Sequence, residues 1–492
     1  MVKDTLKTKA ISGIVWTSLQ KYSEMTIQFF SGIILARLLT PHDYGCIGII
    51  LIFIVLAESI IDGGFGSALI QKKRPTQLDY STIFFWNIGI SCILYLCLYL
   101  ASPFISHFYG IPELKEILRV QGLILFIYAF TIVQKNQLQK KLHFKIISIV
   151  SIITSLLSFI ITLLMALNGY GVWSLVTQNI VIVAFPAVFF WFYVKWRPVL
   201  QFSLSSFKEL FNFGFFMFLT QLLNNIGNEI QGLLIGYFYP PSTMGYYTKA
   251  YNTQRMASTS ISKILVQVTF PVYAELQDDK QSLIKIIKRL TMTLAHIMFP
   301  FMFILIICAK PIFTLLYSDR WIDSVPYFQI LCLAGMAFCL QSINNQSISA
   351  IGKSKTLFGY TFLKRIVGIL FVVVGLLIYG IKGLLIGMVF NTWFSYIVNI
   401  ALVSKYIGYK WWHQLLNLMP SMILSIFIMI VCQFISSVCG LTLYIDGLMK
   451  SVLFIILYAF LSKIFNLEAA RYVGSIYSTL LNETLKKKKQ VV

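Results

Sequence analysis

The chain of 492 residues is 58% hydrophobic and only 12% charged, which excludes a soluble globular protein, a disordered chain and a disulfide scaffold. Forty Lys plus Arg against 18 Asp plus Glu leave a formal charge of +22. The basic residues sit mostly in short connections between apolar runs, so they report membrane topology and not nucleic-acid binding.

Apolar runs of about 20 residues, the length of a membrane span, occur near 10–37, 45–69, 81–106, 115–134, 146–167 and 171–194. The first is too long for the apolar region of a signal peptide and is read as a span. A polar, basic linker follows at 195–209, and further runs lie near 210–238, 244–271, 287–316, 325–351, 356–379, 383–404, 414–438 and 445–465. The expectation is an all-α polytopic membrane protein with about fourteen transmembrane helices and a basic tail at 466–492. Alternate connections are basic: Lys72-Lys73-Arg74, then Lys135 to Lys145, Lys195 to Lys208, Lys280 to Arg289, Lys353-Lys355, Lys405-Lys410 and the Lys486–Lys489 tail. By the positive-inside rule both termini face the cytoplasm.

The halves repeat. "LARLLTPHDYGCIGI" at 35–49 is echoed by "LIGYFYPPSTMGYYT" at 234–248, matching Pro41 to Pro241 and Gly45 to Gly245 at an offset of 200. Gly13 and Gln20 match Gly214 and Gln221, and Asn136-Gln137 parallels Asn345-Gln346. Six spans, an even number, precede the repeat point, so both halves share one orientation about an axis along the membrane normal. The expected domains are a six-helix lobe at 1–194, a linker at 195–209, a second six-helix lobe at 210–404, and two extra C-terminal helices within 405–465.

Polar residues inside spans are expensive and mark candidate function. On span eight, Lys249, Asn252, Arg255, Thr259, Lys263 and Gln267 fall within an arc of about 120°. Span one carries Thr17, Lys21, Glu24, Gln28 and Ser31 along one face, span seven offers Asn224 and Asn228, and span two offers Glu58 and Asp62. The expectation is a cationic, water-filled cavity between lobes in which Lys21, Lys249, Arg255 and Lys263 bind an anionic substrate. Gln28, Asn224, Asn228, Asn252 and Gln267 would line it, and Glu24, Glu58 and Asp62 are candidates for Na⁺ or H⁺ coupling or for structural pairing. Cations at successive depths could pass a diphosphate headgroup across the bilayer while its lipid tail stays in hydrocarbon. The five His residues are scattered and the Cys residues lie in or beside apolar runs. No metal set, cofactor or catalytic residue is expected, and enzyme activity is not.

"LARLLTPHDYGCIGI", followed by "DGGFGSALIQKK" at 62–73, resembles the start of the polysaccharide-export flippases of the multidrug/oligosaccharidyl-lipid/polysaccharide superfamily, in particular its lipopolysaccharide biosynthesis, colanic-acid-type branch. The resemblance implies a two-lobed transporter in the bacterial inner membrane. It would flip undecaprenyl-diphosphate-linked oligosaccharide by alternating access, alongside glycosyltransferases and a polysaccharide polymerase. It also implies that basic residues of spans one, two and eight serve the cavity, although span two here offers acids instead. The last two spans would help form a groove for the lipid tail. A peptidoglycan-precursor flippase and a multidrug exporter are the alternatives within the superfamily; a multidrug exporter would favour an acidic, aromatic cavity.

Overall fold

The computed structural model describes residues 2–276 and 279–473, with side chains for 12–259, 273, 275–276, 279–353, 356 and 359–473. The Lys486–Lys489 run lies outside the described residues. Contacts divide the chain into two units, Met1–Thr248 and Lys249–Val492.

The first unit holds α1 (Val2–Leu38), α2 (Pro41–Asp62), α3 (Phe65–Gln71), α4 (Gln77–Tyr109), α5 (Leu114–Gln121), α6 (Ile124–Lys140), α7 (Phe144–Leu167), α8 (Val172–Tyr193), α9 (Leu204–Phe238) and the start of α10 (Pro241–Glu275). Local chemistry sets these boundaries. Thr40 and Asp43 form a reciprocal capping box at the start of α2, with Pro41 in the first turn, and Thr76 with Asp79 repeat the device on α4. Each cap satisfies amide groups that a helix start leaves without partners.

The second unit holds the rest of α10, α11 (Lys280–Ile307), α12 (Ala309–Tyr317), α13 (Ser324–Ala350), α14 (Ser354–Ile407), α15 (Trp411–Cys439) and α16 (Leu443–Ile464). At ~1.5 Å per residue, α14 would be far too long for one crossing. Its backbone leaves helical geometry at Tyr379 and Gly380, where Gly380 has φ 61°. The two arms then close on each other: a Cβ on Gly375 would lie 2.2 Å from the Gly383 carbonyl oxygen, and one on Gly387 2.3 Å from that of Phe371. This is a small-residue hairpin of two spans. The unrepeated α15 and α16 pack on each other and on α11.

Ten helices or joined helix pairs are long and apolar enough to cross a membrane. One of them is the α14 hairpin, which crosses twice, and the remaining long helices are α1, α9 and α10. The fourteen apolar runs thus correspond, among the described residues, to ten such helices, one of them a hairpin of two arms, together with α1, α9 and α10. α1, α9 and α10 are the helices expected to carry polar faces. Outward faces are apolar: α7 buries Ser148, Thr154, Ser158 and Thr162 while Ile153, Leu156, Ile160 and Leu164 are exposed. That is the reverse of a water-facing helix and fits a lipid solvent. The chain is an all-α, multi-pass membrane protein. Three cysteines, Cys92, Cys97 and Cys439, are exposed, and the other five are buried.

The connections of the first unit gather at two ends. At one, Lys72 bridges Asp79 (3.1 Å) and Glu209 (2.9 Å), Lys140 donates to the carbonyls of Leu69, Ile70 and Lys72, and Gln77 donates to the Arg197 carbonyl. Burial disfavours the Lys72 cation, but hydrogen bonds from its ammonium to Glu209 and Asp79 prevail and hold its pKa above the usual lysine value. At the other end Phe108 stacks on Tyr237 at 4.5 Å, and Asp43 approaches Gly171. Basic connections thus collect together, as alternation requires.

The repeated motif meets itself inside this unit. A Cβ on Gly45 would sit 1.8 Å from the Pro241 carbonyl oxygen, and one on Gly245 would sit 1.9 Å from that of Pro41. The linker at 195–209 marks the midpoint of the repeat, whereas contact density changes within α10, because α9 and the first turns of α10 pack along α2. Gly45→Val should collapse the yield of folded, monodisperse protein or lower its unfolding midpoint by several degrees, since a well-packed site cannot absorb added volume. Gly89→Ala, where nothing lies within 4 Å, should leave the melting curve unchanged in the same thermal-shift measurement.

Candidate functional site

The polar face of α1 divides by depth. Lys21 and Gln28 are exposed and Glu24 is half-buried. Glu24 accepts from Gln20 Nε2 at 3.0 Å, and Gln20 in turn accepts from Ser148 of α7 at 3.2 Å. The carboxylate is thus tied to the interior of the first unit by neutral partners, and its neighbour Lys21 stays on the surface.

Glu58 and Asp62 lie one turn apart near the end of α2, both half-buried. The charge of Lys135 on α6 acts on both, and Tyr128 lies within reach of both. Asp62 faces the amides of Gly64 and Gly66 at the start of α3. A Cβ on Gly66 would lie 2.9 Å from Asp62 Oδ1 and 3.1 Å from Asn136 Nδ2. Asn136 is 7% exposed and its amide nitrogen has no hydrogen-bond partner. The sequence pattern placed Lys135 in a cytoplasmic connection, and the structure places it in the last two turns of α6 instead. On α9, Asn224 is half-buried and Asn228 exposed, while Asn225 donates to Ser59 of α2 at 2.6 Å.

The cationic stripe of α10 splits. Lys249 is 6% exposed, with its ammonium 4.0 Å from the ring centre of Tyr317 and 5.5 Å from that of Trp321. Thr253 fixes the phenol of Tyr317 at 3.1 Å. Asn252 and Arg255 are exposed, and the Arg255 guanidinium donates to the Tyr251 phenol at 3.5 Å. The cause of the split is angular: Lys249 stands at the edge of the arc, ~120° from Arg255, where the aromatic side chains following α11 reach it. Lys249 is therefore a buried cation in an aromatic cage and not a water-facing member of the stripe. Lys263 and Gln267 lie on α10 but outside the described residues as far as their side chains are concerned.

Two further intramembrane cations escaped the sequence reading. Lys364 and Arg365 sit in the first arm of α14; Lys364 is 8% exposed and donates to Asn399 of the second arm at 2.8 Å. The adjacent pair inside the apolar run 356–379 was the available signal. A grouping of His42, Cys46 and Glu113 brings one ligand atom from each within 4.8 Å of the others. Its members are too far apart in sequence for spacing to reveal, and that separation is wide for tetrahedral zinc, whose bonds are ~2.0–2.3 Å.

The second unit also contains an apolar groove of about 800 Å³ between α11 and α16, lined in part by Pro300, Phe454 and Tyr458 and ending near Lys463 and Arg471. His296 in its wall contacts the Tyr458 hydroxyl at 2.9 Å. The resemblance implied a groove from the last two spans; this one pairs α16 with α11.

A model of the polysaccharide biosynthesis protein family matches residues 34–326, more than half of the chain. The chain belongs to that family. It is 27% identical over 356 residues to the teichuronic acid biosynthesis protein TuaB of Bacillus subtilis (strain 168), covering 72% of this chain and 74% of that protein. It is 24% identical over 439 residues to the lipopolysaccharide biosynthesis protein WzxC of Escherichia coli (strain K12), covering 86% and 88%. Among solved structures, the inward closed conformation of the lipid II flippase MurJ aligns with a TM-score of 0.72 at 14% identity, over 92% of this chain and 99% of that one. An inward-facing multidrug MATE transporter of the MOP superfamily aligns at 0.59 and 16% identity, over 80% and 98%. These likenesses establish a shared fold.

A cation held against a desolvated aromatic face is stabilised by roughly 2 kcal/mol. Lys249→Met and Tyr317→Leu should each lower the unfolding midpoint. In a double-mutant cycle their effects should fall short of additivity by about 1–2 kcal/mol, read from chemical denaturation in detergent. Full additivity would dissolve the cage.

Proposed function

We propose that the protein is a flippase for undecaprenyl-diphosphate-linked oligosaccharide in the bacterial inner membrane, serving surface polysaccharide or lipopolysaccharide synthesis by alternating access. The observation that carries this reading is Arg255: a guanidinium exposed on a membrane-length helix, with a phenol and not a carboxylate as its partner. An arginine placed there at ~2.5–3.5 kcal/mol on insertion scales is available to a phosphate, which it can bind bidentately. Family membership and relatives named for teichuronic acid and lipopolysaccharide synthesis support a polysaccharide precursor as cargo.

Basic connections at one end favour cytoplasmic termini. An outward-moving anion gains ~2.3 kcal/mol per charge per 100 mV when the cell interior is negative, so the membrane potential supplies a bias. Glu58 and Asp62, with Lys135 beside them, are the groups through which Na⁺ or H⁺ would couple. Glycosyltransferases that build the cargo and a polymerase that consumes it would act on either side. The apolar groove between α11 and α16 can take an isoprenoid tail.

In proteoliposomes, Arg255→Gln should reduce transport of undecaprenyl-diphosphate-linked oligosaccharide at least tenfold, the loss of one charge-assisted contact, with an unchanged melting curve. Undiminished flux would reject the reading. Glu58→Gln with Asp62→Asn should flatten the dependence of flux on an imposed pH or Na⁺ gradient. A gradient response equal to the parent's would remove these acids from coupling.

A further inference from the structure

Three side chains that the transport reading does not use meet at one end of the first unit. His42 and Cys46 lie four residues apart at the start of α2, a spacing that puts them on one face of the helix, one turn apart. The imidazole Nδ1 and the thiol Sγ are 3.8 Å apart. Glu113, at the residue before α5, brings a carboxylate to the same point, so that one ligand atom from each residue lies within 4.8 Å of the other two. Cys46 is fully buried, His42 half-buried and Glu113 exposed. The set therefore runs from a sheltered sulfur outward to a carboxylate that water reaches.

The capping chemistry at this end is carried by a neighbour. Asp43 accepts from the Thr40 amide at 2.8 Å and from its hydroxyl at 2.7 Å, whereas the Glu113 side chain makes no cap hydrogen bond to α5. Thiolate, imidazole and carboxylate are the donor types of zinc sites, and sites with three protein ligands leave the fourth position to water. Bonds of ~2.3 Å to sulfur and ~2.0–2.1 Å to nitrogen at a tetrahedral angle put those two atoms about 3.6 Å apart, close to the separation of His42 and Cys46. The remaining gap, toward Glu113, is too wide for a tetrahedral ion by about 1 Å. Glu113 is also the exposed member of the set, and a change in its side-chain torsions closes such a gap. The amides of the first turn of α2 oppose a cation, and the Asp43 carboxylate beside His42 offsets them.

We propose that His42, Cys46 and Glu113 bind one thiophilic divalent transition ion, with Zn²⁺ as the type, at the end of the first unit opposite the Lys72 bridges. Binding replaces the Cys46 S–H bond by a sulfur–metal bond; the proton passes to water and no electron is transferred. Mg²⁺ and Ca²⁺, which take oxygen ligands, do not suit this set. A bound ion ties the start of α2 to the connection before α5, beside the contact of Pro41 with Gly245. Occupancy therefore stabilises the seam between the two copies of the repeat. The proposal is independent of the cargo reading.

The test loads the full-length protein, purified on a tag without histidine and stripped with a chelator, with Zn²⁺ or Co²⁺ in lipid nanodiscs. Metal analysis after dialysis should find one ion per chain, and the Co²⁺ form should show a thiolate-to-cobalt charge-transfer band. His42→Gln should weaken Zn²⁺ binding by more than about tenfold, because losing even an outer partner of a ligand costs ~10–100-fold. Cys46→Ser should remove the charge-transfer band, and Glu113→Gln should weaken binding by a smaller factor than His42→Gln. Zn²⁺ should raise the unfolding midpoint of the parent and not that of His42→Gln. Cys46 is packed in the seam, so if its variant fails to fold, His42→Gln and Glu113→Gln, at positions that water reaches, carry the test. A band that persists in folded Cys46→Ser assigns the thiolate to another cysteine and overturns the proposal. Equal metal content in the parent and His42→Gln overturns it too, as does parental affinity in Glu113→Gln or a parent that retains no ion.

Discussion

The reciprocal crossing of α2 and α10 is the constraint from which the first unit is organised. Gly45 presses on the Pro241 carbonyl and Gly245 on the Pro41 carbonyl, each at a distance that admits no side chain. Two proline-started helices can approach this closely only if both carry hydrogen in place of Cβ. Because the two prolines and two glycines occupy equivalent positions of the repeat, the contact is self-complementary, as a two-fold interface is. Met244 then fills the space beside Gly48 and Gly232, and α9 lies along α2 with Asn225 donating to Ser59. The position of the polar residues of α9 follows from that seam.

Much of the fold was legible because a bilayer imposes length and composition together. The fourteen apolar runs fall on long helices of the structure, and the α14 hairpin was separable in advance at the polar break near Gly380 to Lys382. The repeat was readable because Pro and Gly are kept where close packing demands them. Helix interruptions were not: α5 and α6 meet at Gly122-Leu123, inside what reads as one run. The break is a tightened turn whose backbone groups bond locally, Leu123 N to Val120 O and Leu125 N to Gly122 O, and a linear apolar pattern does not encode it.

The intramembrane polar residues were legible as candidates, but their burial and partners were less so. Helical periodicity put Lys249 and Arg255 on one stripe, but an arc of ~120° is wide enough for its edges to meet different neighbours. Tyr317 and Trp321, more than sixty residues away in sequence, decide that Lys249 is buried. Lys364 and Arg365 were overlooked for a related reason: two adjacent cations in an otherwise apolar run make no long polar stripe. Lys135 was assigned to a connection because its run of lysines reads as loop, yet α6 continues through it to Lys140.

The choice of partner is what separates a structural charge from a transporting one. A carboxylate beside an intramembrane arginine would repay its desolvation and hold it in place, but a phosphate would then have to compete with a permanent anion. A phenol or an amide does less. It orients the cation, as Tyr251 does for Arg255 and Asn399 for Lys364, without neutralising it. The same weakness serves release, because a carrier must let its cargo go on the far side. A site composed of cations with neutral partners would bind by potential and a few forked hydrogen bonds, and would lose its hold as water enters and the local dielectric rises. On the flippase reading proposed above, the neutral partner at Arg255 favours turnover over retention, which a transporter requires and a structural ion pair does not.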